Sequence, residues 1–136
     1  MRLFTRSIFL VLAVMPPAVA FAQPQNYGAS ARDSGAPDQR AASEQIFALA
    51  NQARAQAGVG RLQWDPALAE AALAHCRRMA MEGPISHRYG GEPDLTGRAA
   101  HAGAHFSVIE ENVAVGPSAD AIHEEWMQSP GHQKTC

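Results

Sequence analysis

The 136 residues are 46% hydrophobic and 18% charged, with a formal net charge of −2. That length holds one modest domain and excludes most two-domain enzymes. The charge balance excludes a basic field for nucleic acid and a polyacidic tail. The chain opens with Arg2 and Arg6, then an apolar run from Ile8 to Met15, then Pro16-Pro17 and Ala20-Phe21-Ala22. A positive start, a short apolar centre and small residues before a cut predict a removable export signal over residues 1–22. The apolar run is too short to span a bilayer. No Cys follows it closely, which argues against a lipid anchor at the cut. The expectation is an exported chain, secreted or periplasmic, with no transmembrane segment once the signal is removed.

Residues 23–42 are rich in Gln, Pro, Gly, Ala, Ser and Asp, with Tyr27 the single aromatic. Such a stretch buries too little apolar surface to offset chain ordering, and reads as a disordered leader or linker. The folded domain is expected over residues 43–136. Ser43 caps a first helix with Ile46, Leu49, Ala50, Ala53 and Ala57 at helical spacing, stopped by Gly58 and Gly60. Leu62 and Trp64 form an extended link expected to plug the core. Asp65-Pro66 is an N-cap and first-turn pair for a second helix reaching Glu82, with Leu68, Ala71, Ala72, His75 and Met79 along one stripe and Cys76 beside them. Gly83-Pro84 stops it.

A loop over residues 85–93 carries Ser86, His87 and Arg88. Asp94 caps a short third helix through about Ala102, closed by Gly103. Glu110-Glu111-Asn112-Val113-Ala114 reads as a turn or short strand. Pro117-Ser118 opens a fourth helix that buries Ile122 and Trp126. Ser129-Pro130-Gly131 ends that helix and presents His132 in a loop. Helices dominate, with about one strand near Val113.

The six histidines invite a metal or acid-base reading. His75 reads as a packed or half-exposed helix residue, and His123, beside Glu124 and Glu125, as part of a solvated face. His101 and His105 are four apart, but Gly103 between them breaks the shared helical face. His87 and His132 each follow a helix stop, where rigid ends present functional side chains. Glu111 lies between apolar Ile109 and Val113, so it faces solvent or needs a partner; Glu110 is the ordinary solvated neighbour. Export permits a Cys76–Cys136 disulfide, and a buried thiol on the second helix is the alternative.

Asn51-x-x-Arg54, Leu62-x-Trp64-Asp65-x-x-Leu68-Ala69, Ser86-His87, Glu111-Asn112-Val113-Ala114 and Trp126-Met127-x-Ser129-Pro130-Gly131-His132 occur in one order. In that order the sequence resembles the bacterial branch of the CAP superfamily, the SCP-like extracellular domains. The resemblance spans residues 46–132. It implies an α+β fold, an α-β-α sandwich with helices on both sides of a small antiparallel sheet. It also implies a cleft of histidines and glutamates that binds a divalent cation, often zinc.

On this sequence His87 matches the first cleft histidine, and Glu111 matches the acid of the Gly-Glu-Asn motif. Glu110 stands where that Gly is usual. Ser129 stands where eukaryotic members carry a second acid, and the other cleft histidine lies on a late strand with no counterpart here. The expectation is therefore a helix-rich domain with the C-terminal strands missing, leaving helix faces and a sheet edge uncovered.

His87, Glu111 and His132 form the candidate metal set, for zinc or another divalent cation. The function expected is a CAP-type module binding a cation or small ligand. One alternative is a metal-assisted peptide or ester hydrolase with Glu111 as general base. Others are a binder of lipid, sterol, cell-wall material or an extracellular protein, or a non-functional truncated product. No Gly-x-Ser-x-Gly or His-Glu-x-x-His occurs, and Ser86 beside His87 does not by itself make a nucleophile.

Overall fold

The computed structural model describes residues 7–10, 13–14 and 36–136. The described elements are β1 (Ser7–Leu10), β2 (Ala13–Val14), α1 (Ala36–Gln56), α2 (Pro66–Glu82), α3 (Leu95–His101), β3 (Ile109–Asn112), β4 (Val115–Gly116), α4 (Ala119–Gln128) and α5 (Pro130–Thr135). Helices and a few short strands make the chain α+β.

The helix starts follow local chemistry. Asp65 caps α2, its Oδ1 accepting from the Ala67 and Leu68 amides at 2.8 and 3.1 Å, with Pro66 in the first turn. Asp94 caps α3 by accepting from the Gly97 amide at 2.8 Å, and Ser118 caps α4 by accepting from the Ala121 amide at 3.2 Å. Each supplies an acceptor to an amide that has no partner in the first turn. Gly103, at φ +86°, turns the chain after α3.

Two boundaries differ from the sequence reading. Helix α1 begins at Ala36, so Ser43 is interior, and its Oγ donates to the Gln39 carbonyl at 2.9 Å. Residues 36–42 of the expected leader are thus helical, and Ala42 packs on the core; residues 23–35 lie outside the described residues. His132 lies in α5 rather than a loop, because Pro130 suits a helix's first turn as well as it ends the preceding one.

Trp64 does not plug the core. It is 37% exposed and meets Phe47 edge to face with ring centroids 5.3 Å apart. Leu62 is held instead through its backbone: Asn51 Oδ1 accepts from the Leu62 amide at 2.7 Å. Arg54 Nε donates to the Gly60 carbonyl and Nη1 to the Cys136 carbonyl, the latter at 3.0 Å. Asn51 and Arg54 thereby pin the 57–62 turn to α1.

The buried apolar residues form two clusters. Leu68, Ala71, Ala72, Cys76 and Met79 of α2 join Ala99, Ala104 and Val113 in one. Ile46, Ala114, Ala119, Ile122, Trp126 and Cys136 form the other, between α1, α4 and the end of α5. Val113 and Ala114 are consecutive yet belong to different clusters, as alternation along an extended chain requires. The cysteines also fall one to each cluster, and no disulfide joins Cys76 to Cys136.

The strands pair in parallel. β1 lies on β3 in the register Ser7 to Ile109 and Leu10 to Asn112, and β2 lies on β4 as Ala13 to Val115 and Val14 to Gly116. The antiparallel sheet expected from the resemblance is therefore not the arrangement of the described strands. The long connection through α1, α2 and α3 is what lets a parallel pair form. Ser7–Leu10 and Ala13–Val14 belong to the stretch expected as an export signal, and Ser7–Leu10 pairs with the strand that carries Glu111.

Candidate functional site

The site is built where the α2–α3 loop, α3 and β3 meet. The Gly83 amide closes α2 on the Met79 carbonyl at 2.9 Å, which sets the loop over the end of that helix. The Asp94 cap fixes the start of α3 and places Arg98 one turn in, with its side chain 6% exposed. β3 carries Glu111 into the same place, and only 2% of its side chain is exposed.

Arg98 Nη2 donates to Glu111 Oε1 at 2.9 Å and to Oε2 at 3.2 Å. His87 Nδ1 lies 2.9 Å from Glu111 Oε2. A carboxylate oxygen accepts, so Nδ1 carries a hydrogen, and in the neutral ring Nε2 keeps the lone pair. The His87 side chain is 62% exposed. A buried acid thus orients a solvent-facing imidazole, while a buried guanidinium neutralises the acid. Unpaired, that carboxylate would be costly; paired and hydrogen-bonded, it is tolerated.

A second buried acid stands behind the first. Glu92, with 6% of its side chain exposed, lies 3.7 Å from Arg98 Nη1 and 2.7 Å from His75 Nδ1. Burial works to raise the Glu92 carboxyl, but the hydrogen bonds from His75 and the Tyr89 amide and the charges of His75 and Arg98 hold it below the usual carboxylate value. Tyr89 shifts the other way, raised first by burial and then by Glu82 and Glu92, with Arg78 opposing. Its hydroxyl donates to the Pro84 carbonyl at 2.7 Å.

Of the three residues expected to gather, the structure brings His87 and Glu111 together. His132 reaches the neighbourhood through its backbone: Asn112 Nδ2 donates to its carbonyl at 3.0 Å. The His132 Nδ1 is buried with no hydrogen-bond partner. Among the described residues, no group of three or more His, Cys, Asp or Glu side chains is arranged to hold a metal ion. Ser86 Oγ donates to the Arg88 carbonyl at 2.7 Å and accepts from the Arg88 amide at 3.2 Å.

His101 and His105 are both exposed, and Glu110 is solvated as expected. His123 is half-buried rather than solvated, and burial lowers it below the ordinary histidine value, with Asp120 opposing. Sequence reasoning missed Arg98 and Glu92. The available signal was Arg98 flanked by Gly97, Ala99 and Ala100, a long cation among residues too small to screen it from a neighbouring strand.

Comparison with known proteins identifies the family. The family model for CAP, the Cysteine-rich secretory protein family, matches residues 47–135. The chain belongs to that family. It is also similar to the "Uncharacterized membrane protein YlbC" of Bacillus subtilis (strain 168), at 33% identity over 103 residues. That match covers 71% of this chain and 28% of the relative, so the chain spans little more than a quarter of the relative's length. No solved structure matches the chain.

Proposed function

We propose that this chain is an exported CAP-type module that binds a divalent cation or a small ligand at the Nε2 of His87. The observation that supports it is the 2.9 Å contact of His87 Nδ1 with Glu111 Oε2, joining a 62% exposed imidazole to a carboxylate of 2% exposure. A carboxylate behind a histidine fixes its tautomer and directs the other nitrogen's lone pair outward, the usual support of a metal- or donor-binding imidazole.

His87, Glu111 and His132 do not fit a three-ligand zinc set as they stand. Both Glu111 oxygens are committed to Arg98 and His87, and the His132 imidazole joins neither. Glu111 is thus an orienting group in this reading. The same commitment favours binding over hydrolysis, since a general base needs a free oxygen facing the reacting water.

Export is supported by the Arg2 and Arg6 start, the apolar run and Ala20-Phe21-Ala22. The sandwich is supported by the division of Val113 and Ala114 between two helical clusters. No helix among the described residues is long and apolar enough to cross a membrane. N-terminal sequencing of the expressed protein tests the location: Gln23 as first residue is expected, and an uncleaved chain in the membrane fraction would replace export with the anchoring that the relative's name suggests.

Calorimetric titration with zinc tests the site. The wild-type chain is expected to bind, and His87→Ala to lose about tenfold or more in affinity. His132→Ala is expected to match the wild type. Equal affinity in wild type and His87→Ala would reject His87 as the contact.

A further inference from the structure

The α2–α3 loop has no regular structure, yet three of its backbone groups are held by buried side chains. The Ser86 carbonyl meets His75 Nε2 at 2.9 Å, the His87 carbonyl accepts from Arg98 Nη2 at 3.1 Å, and the Tyr89 amide donates to Glu92 Oε2 at 3.0 Å. These bracket His87. Arg88 adds a further tie through its own Nε, which donates to the Glu92 carbonyl at 2.9 Å.

His75 is the least expected member. It lies in the middle of α2, it is 0% exposed, and its Nδ1 is 2.7 Å from Glu92 Oε1. Its two ring nitrogens thus face two partners, the Ser86 carbonyl and the Glu92 carboxyl. A histidine retained only to fill the core would be satisfied by one polar contact, or replaced by leucine at little cost. This one commits both ring nitrogens to the segment that carries His87: one to the residue before it, the other to the acid that holds the Tyr89 amide.

We propose that His75 is a positioning residue, which through the Ser86 carbonyl and Glu92 fixes the loop so that His87 keeps Nδ1 on Glu111 and Nε2 outward. The inference rests on the binding reading above for its ligand, but not for its geometry. A loop left to itself samples many conformations, and an exposed imidazole on it would turn freely. Ordering the loop before the ligand arrives removes that cost from binding.

The test is nitrogen-15 NMR of the histidine rings in the full chain, at about pH 8, above the ordinary histidine range. In the wild type, His87 is expected to carry its proton on Nδ1. In His75→Leu and Glu92→Gln, with helical circular dichroism retained, the His87 ring nitrogens are expected to drift to the averaged pattern of a free histidine. His75→Gln, whose amide can donate to the Ser86 carbonyl, is expected to restore part of the wild-type pattern.

Zinc-induced shifts at His87 Nε2 should then need about tenfold more zinc in His75→Leu. An unchanged His87 pattern in both folded variants would overturn the proposal. Should neither variant fold, the wild-type His87 ring decides: a proton averaged over both nitrogens would overturn the proposal. If zinc leaves wild-type His87 unmoved, the binding reading fails, and the ring pattern still decides the positioning role.

Discussion

Arg98 carries more of the site than any residue whose side chain reaches solvent. One nitrogen, Nη2, serves both Glu111 oxygens and the His87 carbonyl, while Nη1 faces Glu92 at 3.7 Å. Two buried acids therefore share one buried cation. Truncating it leaves two carboxylates without a compensating charge, the costly case for a buried pair. Arg98→Met is expected to lose about 3–5 kcal/mol of stability in urea unfolding at neutral pH. Adding Glu111→Leu to that variant is expected to return part of the loss, because the buried charge goes with it. Additive single and double variants would mean that Arg98 and Glu111 do not interact in solution.

At the scale of the elements, the connections matter more than the strands themselves. β4 ends on Gly116, where a Cβ would stand 2.7 Å from Ile122 Cγ1. Ile122 is 0% exposed and belongs to the α1–α4 cluster, so it has no free side to move toward. Gly116→Ala is expected to destabilise by about 1–3 kcal/mol through overpacking, read as a lower thermal midpoint. Gly131→Ala, with nothing within 4 Å of its Cβ, is the control expected to change little.

These elements also show what a sequence makes legible. Asp65, Asp94 and Ser118 were readable because a cap is a local contract between one side chain and amides two or three residues on. His87 and Glu111 were readable as individuals, one by its place after a helix stop and the other by its apolar setting. Their link through Arg98 was not, because it joins three elements 11 to 24 residues apart in sequence. The same holds for β1 on β3: strand register is set by distant partners, so the pairing of Ser7 with Ile109 has no local mark. Ser43 misled because serine caps and serine interior to a helix look alike until the chain before it is seen to be helical.

For the whole molecule, Glu111 on β3 and the buried His75, Arg98 and Glu92 hold the same loop. If residues 1–22 are cleaved as proposed, β1 and β2 leave, and the edge of the strand that bears Glu111 opens. An open edge invites pairing with another chain. A chain starting at Gln23 is expected to show concentration-dependent self-association in sedimentation velocity that the full chain lacks. A monomer at all concentrations would mean the edge is covered another way.

Acid acts on the charges instead. Glu92 sits between α2, α3 and the loop, and its carboxyl is held below 4.5 by His75, the Tyr89 amide and Arg98 acting against burial. A group whose folded value is depressed contributes its stability in full above the unfolded value and loses it as pH falls through the folded one. Glu92 therefore stabilises the fold at neutral pH, and that contribution fades below about pH 4.5, the ordinary glutamate value. Its protonation would weaken the hold on the Tyr89 amide and His75 together, loosening the segment around His87. Urea midpoints measured from neutral to acid pH are expected to fall steeply in the wild type below that value. Glu92→Gln should be less stable at neutral pH and show a shallower acid slope, because the group that binds the proton is gone. Parallel curves for the two proteins would show that the acid sensitivity resides elsewhere.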